Sequence, residues 1–238
     1  SPTVVEEEYT KDGKIITVKT PGDFVVCNLS SINLGRAVPD GVLDRLIPIE
    51  VRMLDNVIDL NTIEVKQAVL TNQKYRAVGL GTFGWHHLLA LKSIDWESDE
   101  AVHFADKLYE DIAYLTIKSS MELAKEKGAY PAFEGSEWSN GEYFKRREYL
   151  GNKRWNALAL EVFEYGIRNG WLMSPAPNGS TAIIAGSTAA TDPIFDVEYS
   201  EEKKDYKIPV TAPDINAYTF KYYKSAYRID QTWSIRQN

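Results

Sequence analysis

The apolar residues of this chain fall into short unbroken runs separated by longer stretches with helical spacing. Phe24-Val-Val-Cys27, Arg76-Ala-Val-Gly-Leu-Gly81 and Trp171-Leu-Met173 are runs of the kind that parallel sheets bury on both faces. Between them apolar residues recur at i, i+3 and i+4. From Gly41 to Leu60, Leu43, Leu46, Ile47, Leu54, Val57 and Ile58 share one helical face, and Pro48 predicts a kink or a division into two helices. A short helix carrying Trp85, His86 and His87 follows the second run. The longest predicted helix opens at Ser98 as N-cap, has Asp99 and Glu100 in its first turn, and turns Leu108, Ile112, Leu115, Ser119 and Leu123 inward. Lys125 and Lys127 occupy its last turn and Gly128 closes it. A further helix covers Lys153 to Asn169, with Trp155, Leu158, Val162 and Phe163 as its core positions, and ends at Gly170.

The rest of the pattern is less regular. Residues 1–10 read as a linker or incoming loop, Lys14–Thr20 as a strand, and Pro21-Gly22-Asp23 as a turn. Asn28–Gly35 reads as a polar bend past the end of the Phe24–Cys27 strand, where ligands collect in α/β sheets. Gly128–Gly151 is irregular. Phe195–Tyr199 and Tyr206–Val210 read as strands joined by a charged hairpin tip, Glu201–Asp205. Asp214 is placed to cap a last helix, Ile215–Tyr227. Short buried strands alternating with helices predict an α/β fold. The strands are too few for a complete barrel and both ends read as cut, so the expectation is one fragment spanning residues 1–238.

One stretch carries candidate chemistry. After Trp171–Met173, Pro175 and Pro177 stop the strand because they cannot donate to a ladder. Asn178-Gly179 is turn chemistry, and a helix is predicted to open at Ser180, with Ser180 and Thr181 lining its start. Unpaired N–H groups, two hydroxyls and a helix dipole together suit a phosphate. An ordinary solvated strand–turn–helix corner has the same spacing, and the spacing alone does not separate the two.

Composition narrows the classes. The formal charge of -7 argues against a nucleic-acid surface but not against one phosphorylated small molecule held by amides. No apolar run is long enough to span a bilayer, and the acidic start Ser1–Glu8 lacks the features of a signal peptide, so no membrane association and a cytoplasmic location are expected. With Cys27 alone, neither an internal disulfide nor a Cys-rich metal site is available. Adjacent His86 and His87 point to different sides of a helix, which makes them a poor metal pair and predicts surface and packing roles.

Several stretches together resemble the large (catalytic) subunits of ribonucleotide reductases. Cys27-Asn-Leu-Ser-Ser-Ile-Asn-Leu-Gly35 resembles the family's Cys-bearing barrel strand, and Arg76-Ala-Val-Gly-Leu-Gly-Thr-Phe-Gly84 its next strand and helix start. Glu122-Leu-Ala-Lys-Glu-Lys-Gly-Ala-Tyr-Pro131 is similar to the end of its long helix. Pro177-Asn-Gly-Ser-Thr181, with Asp192-Pro193 downstream, resembles its substrate-diphosphate loop. The order and approximate spacing match over nearly the whole chain. The resemblance implies part of the family's ten-stranded α/β barrel, incomplete here. It implies that Cys27 is one half of the dithiol that reduces the ribose, and that Pro177, Asn178, Gly179, Ser180 and Thr181 hold the diphosphate of a nucleoside diphosphate.

The sequence lacks the family's Asn-x-Cys-x-Glu radical loop, the partner of Cys27, the effector region, the Cys-x-x-Cys tail and the terminal Tyr-Tyr pair. Tyr222-Tyr223 lies in a helical pattern and reads as packing. The implied partners are therefore other fragments of the large subunit, a radical-generating small subunit containing a metal, and thioredoxin or glutaredoxin as external dithiol. The fragment itself is expected to bind no metal or cofactor, and ATP and deoxynucleotide effectors are expected to bind outside it. Three other readings stay open: a class II fragment served by adenosylcobalamin, a non-catalytic scaffold derived from the barrel, and an unrelated α/β phosphate-binding enzyme.

Overall fold

Backbone donors of a β-branched strand need a partner, and the acidic start of the chain supplies it. In the computed structural model, which describes residues 2–202 and 204–237, the expected linker forms β1 (Val4–Tyr9). It pairs antiparallel with β2 (Ile15–Thr20), from Val4↔Thr20 to Tyr9↔Ile15. The turn is closed by the Thr10 N–H donating to Lys14 O at 2.9 Å, with Gly13 at φ 82°.

Phe24–Cys27 is not a strand. The Phe24 N–H donates to Thr71 Oγ1 at 2.7 Å rather than to a ladder, and Phe24 and Val25 are exposed. The stretch read as a polar bend is instead β3 (Leu29–Asn33), followed by the short helix α1 (Leu34–Ala37). Helix α2 (Leu43–Leu60) continues through Pro48, correcting the expected division. Pro48 lies early in the helix, where its missing N–H leaves only the Asp44 carbonyl unserved. The inward residues of α2 are Ile47, Val51, Leu54 and Ile58, and Val57 faces out. Helix α3 (Lys66–Tyr75), for which the pattern gave no signal, ends at Arg76 in the left-handed region (φ 46°).

Strand β4 (Gly79–Phe83) is buried throughout and pairs parallel with β3, Leu29↔Gly79 to Asn33↔Phe83. Helix α4 (Trp85–Lys92) follows. Helix α5 (Asp99–Lys127) starts as predicted, with Ser98 Oγ accepting from the Ala101 N–H at 3.1 Å, and stops at Gly128 (φ 85°). Helix α6 (Glu142–Arg146) interrupts the irregular stretch. Helix α7 (Lys153–Tyr165) is capped by the Asn152 side chain and ends at Gly166 (φ 78°), not Gly170; Phe163 is exposed.

The Trp171–Met173 run shrinks to one parallel bridge between Met173 and Leu80, because Pro175 follows at once. Helix α8 (Gly179–Ile184) comes next, then the antiparallel hairpin of β5 (Glu198–Glu202) and β6 (Lys207–Thr211), shifted by three positions and by one from the expected runs. Lys203, in the expected hairpin tip, lies outside the described residues.

Ile215–Tyr227 is not a helix. Asp214 sits at φ 50° with its carboxylate drawn to His87 and Arg36, and Asn216 Oδ1 accepts from the Tyr218 and Thr219 N–H groups. These side-chain bonds outcompete the helical ladder, leaving a 3₁₀ turn at Phe220–Tyr222. The last helix is α9 (Gln231–Gln237), which no apolar periodicity predicts.

The chain divides into two compact units. The first comprises Ser1–Asn28, Met53–Val78 and Ser120–Trp171. Its apolar core includes Phe144, Trp155, Leu158, Val162 and Ile167. Within it, fully buried Asp55 accepts from Arg76 Nε (2.9 Å), Arg168 Nε (3.3 Å) and Asn169 Nδ2 (3.1 Å), and Arg76 also grips Asp59 through both terminal nitrogens. A buried carboxylate persists only when paired this way. Those bonds fix Arg76 in its left-handed conformation just ahead of β4. The second unit comprises Leu29–Arg52, Gly79–Ser119 and Leu172–Asn238, packed around Leu34, Ile47, Leu80, Leu88, Leu89 and Ile117. The architecture is α/β, and the parallel β3–β4 pair with the Met173 bridge is an open piece of sheet, with no closed barrel among the described residues.

Candidate functional site

The site in the second unit is built on glycines. A Cβ on Gly81 would lie 2.7 Å from Ser174 O, 3.1 Å from Ser31 Oγ and 3.2 Å from Pro175 Cα. The absence of a side chain lets residues 172–175 lie against β4, where the Leu80 N–H donates to Leu172 O (2.8 Å) and the Ser174 N–H to Leu80 O (3.1 Å). Pro175 then ends the pairing and the chain turns.

The turn is held by Asn178. It adopts φ 36°, a conformation asparagine tolerates, and its Nδ2 donates to Ser31 Oγ at 3.0 Å and to Ala176 O at 2.9 Å. Ser31 lies on β3, so the corner is tied to the sheet by a side chain whose own strand register is fixed. Helix α8 opens at Gly179, one position before the expected Ser180. Its first full bond runs from the Ala182 N–H to Asn178 O at 2.8 Å, so the amides ahead of Ala182 precede the ladder. Pro177, Gly179, Ser180 and Thr181 are exposed and Asn178 is half-buried. All five predicted residues therefore share one corner, four of them exposed. Beside it lies a cleft of about 550 Å³ lined by Pro177, Gly179, Ile183, Ser187, Thr188 and Asp192, among others.

The far end of the same segment meets α4 through residues that sequence reasoning missed. His86 and His87 are fully buried, correcting the expected surface role while fitting the packing one. His87 Nδ1 lies 3.0 Å from Ser187 Oγ and its Nε2 lies 2.9 Å from Asp214 Oδ2, which Arg36 Nη1 approaches at 3.1 Å. Burial lowers the His87 pKa below its ordinary value, against the opposing pull of Asp214. His86 accepts from the Ile194 N–H at Nδ1 (3.1 Å) and meets Tyr222 O at Nε2 (3.0 Å), and burial lowers its pKa to about 4. The only trace of this junction in the sequence was the pair of glycines flanking it. A Cβ on Gly35 would overlap the His87 ring, and one on Gly84 (φ 81°) would overlap Ser187 Oγ.

Cys27 lies in the first unit, exposed and outside any strand; the Asn28 side chain beside it donates to Leu54 O at 2.9 Å. The 177–181 corner lies in the second unit. Tyr223 is buried with its hydroxyl donating to Pro213 O at 2.6 Å, a packing role as expected, and burial pushes its phenol pKa up. Among the described residues, no three His, Cys, Asp or Glu side chains gather in a way that could hold a metal ion.

Comparison with known proteins gives the family. The family model for the barrel domain of ribonucleotide reductase matches residues 13–238. The chain belongs to the ribonucleotide reductase barrel-domain family. It is 48% identical over 229 residues to the ribonucleoside-diphosphate reductase subunit alpha of Treponema pallidum (strain Nichols), covering 94% of this chain and 27% of that protein. It is 42% identical over 234 residues to the same subunit of Helicobacter pylori (strain 26695), covering 92% of this chain and 30% of that one. The Synechocystis counterpart is 34% identical over 220 residues. The reductase barrel segment present here thus spans less than a third of the length of these relatives. No helix among the described residues is long and apolar enough to cross a membrane.

Proposed function

We propose that this chain supplies the diphosphate corner and one reducing thiol to a ribonucleoside-diphosphate reductase. The carrying observation is the corner itself, an exposed Asn-Gly-Ser-Thr helix start fastened to β3 by Asn178, in a chain of this family. Amides ahead of Ala182 and the hydroxyls of Ser180 and Thr181 form a ready cradle for phosphate oxygens. In the reaction that family membership implies, a thiyl radical from another part of the large subunit abstracts the ribose 3′-hydrogen. The 2′-hydroxyl then leaves as water with one proton, and C2′ takes up the other proton with two electrons, all drawn from Cys27 and a second thiol outside this chain as their disulfide forms; return of the 3′-hydrogen regenerates the thiyl radical. An external dithiol, thioredoxin or glutaredoxin, reduces that disulfide. Cys27 is exposed, as a thiol that meets both substrate and partner must be. The radical is expected from a metal-containing small subunit, and the remainder of the large subunit from other polypeptide.

The test is reconstitution of the large subunit around this chain. Cys27→Ser is expected to abolish turnover with thioredoxin-type reductant. Ser180→Ala with Thr181→Ala is expected to raise KM for a nucleoside diphosphate about tenfold or more, since bonds to a charged ligand are lost. Full turnover by Cys27→Ser would favour a scaffold role and end this proposal. Activity that needs added cobalamin, and no small subunit, would move the chain to the adenosylcobalamin class.

A further inference from the structure

The segment after the diphosphate corner is fastened at its far end by a set of polar bonds. Thr188 serves the first turn of α4, where donors have no helical partner: its carbonyl accepts from the Gly84 N–H at 2.8 Å and its hydroxyl from the His87 N–H at 3.2 Å. Next to it His87 uses both ring nitrogens. A carboxylate only accepts, so the Nε2 that faces Asp214 carries the proton and Nδ1 is bare. The Ser187 hydroxyl therefore donates to Nδ1. Ser187 in turn gives its N–H to Ala182 O at 2.9 Å, and Ala182 gives its own to Asn178 O at 2.8 Å. Three residues thus connect the imidazole to the corner. Glycines at positions 35 and 84 leave the space that the ring and the hydroxyl occupy.

Serine, histidine and aspartate in a row invite comparison with a nucleophilic triad. Ser187's own N–H is committed to Ala182 O, so it cannot serve an oxyanion, and Ser187 Oγ is wedged against Gly84. The group holds a position rather than attacking a substrate.

We infer that neutral His87, oriented by Asp214, is a positioning residue for the diphosphate corner, so that affinity for the substrate's anionic end depends on the bond from Ser187 to His87. This rests on the assignment of residues 177–181 to the diphosphate. The charged and titratable groups around the ring are Asp214 and Arg36, with Tyr223 sensing the same two charges and neighbouring His86 engaged elsewhere. Burial and Arg36 favour the neutral ring, and Asp214 opposes them. A hydroxyl both donates and accepts, so a proton on Nδ1 would reverse this bond, with Ser187 Oγ accepting, and would leave the tether in place.

The experiment uses the reconstituted large subunit with its radical source and cytidine diphosphate as substrate, with KM and kcat measured from about pH 5 to 8. Ser187→Ala and His87→Gln are each expected to raise KM about threefold to tenfold with little change in kcat, the signature of lost uniform binding. His87→Asn, whose Oδ1 can replace Nδ1 as acceptor for Ser187, is expected to recover most of that loss. Because the bond can reverse, the ratio of the Ser187→Ala KM to the wild-type KM is expected to stay about the same across that pH range. If Ser180→Ala/Thr181→Ala raises KM while Ser187→Ala does not, the inference is overturned and the diphosphate assignment stands. If neither raises it, the assignment itself falls. Should His87→Gln fail to fold, Ser187→Ala decides alone; a fall in its thermal stability with KM unchanged would mean a structural role only.

Discussion

His86 and His87 are neighbours in sequence, both fully buried, and they answer acid differently. His87 faces a hydroxyl that can rotate to accept. His86 faces the Ile194 N–H, which cannot, so a proton on Nδ1 would set two donors head to head. The Trp96 and Tyr223 rings beside it, with centroids at 4.9 and 5.2 Å, leave little room for water to intervene. Its pKa falls to about 4 in the folded chain, against about 6.5 for a free imidazole. Between those values the unfolded chain binds the additional proton. The contribution of His86 is therefore complete above about pH 6.5 and is lost as pH falls toward 4, amounting to about 2 kcal/mol by pH 5. The expected outcome is a marked fall in the hydrogen-exchange protection of the Ile194 amide between pH 7 and pH 5. His86→Leu should remove most of that pH dependence while lowering stability at neutral pH by about 1–3 kcal/mol for each partner left unpaired. An acid response that survives intact in His86→Leu would assign it to another group.

At the scale of elements, what was legible in the sequence is what local physics decides. Helix α5 was readable at both ends because Ser98 and Gly128 act on backbone groups within a turn of themselves. The Asn178-Gly179 corner was readable for the same reason, and the helix start missed by one position. Strand β1 was not, because an acidic stretch becomes a strand only when β2 lies beside it. Phe24–Cys27 carried the stronger strand composition, yet the strand is Leu29–Asn33, where glycine-bearing β4 can approach. The Ile215–Tyr227 helix failed because Asp214 and Asn216 found side-chain bonds that periodicity does not see. The His87 junction was beyond reach, since its contacts span 100 and 127 positions. The glycines of β4 yield the test at this scale. Gly81→Ala would drive a methyl into the Ser174 carbonyl, and because that atom is backbone the strain has no inexpensive outlet. A loss of about 1–3 kcal/mol in denaturant unfolding is expected, as for other overpacked positions. An unchanged midpoint would mean that residues 174–175 do not need to lie so close to the strand.

For the molecule as a whole, the parallel pair poses the unsolved problem. Parallel strands are stable when both faces are covered and neighbours continue the ladder. Strand β4 has β3 on one side and the Leu172–Ser174 segment on the other, whereas among the described residues no strand continues the sheet beyond β3. Leu29 on that strand is 42% exposed. Unpaired main-chain groups beside apolar side chains form a template for another strand. The relatives carry more than twice as much chain again, so the proposed occupant is the remainder of a large subunit. Self-pairing is the competing outcome, and the formal charge of -7 opposes it by like-charge repulsion that salt screens. The isolated chain is therefore expected to self-associate at micromolar concentration, more so as salt rises, and to be drawn into a stoichiometric complex when the rest of the subunit is added. Leu29→Glu, which places a charge on the open edge, should weaken both associations in sedimentation velocity. A monodisperse monomer that ignores the remainder of the subunit would show that the edge is already satisfied, and would remove the assembly on which the reductase proposal depends.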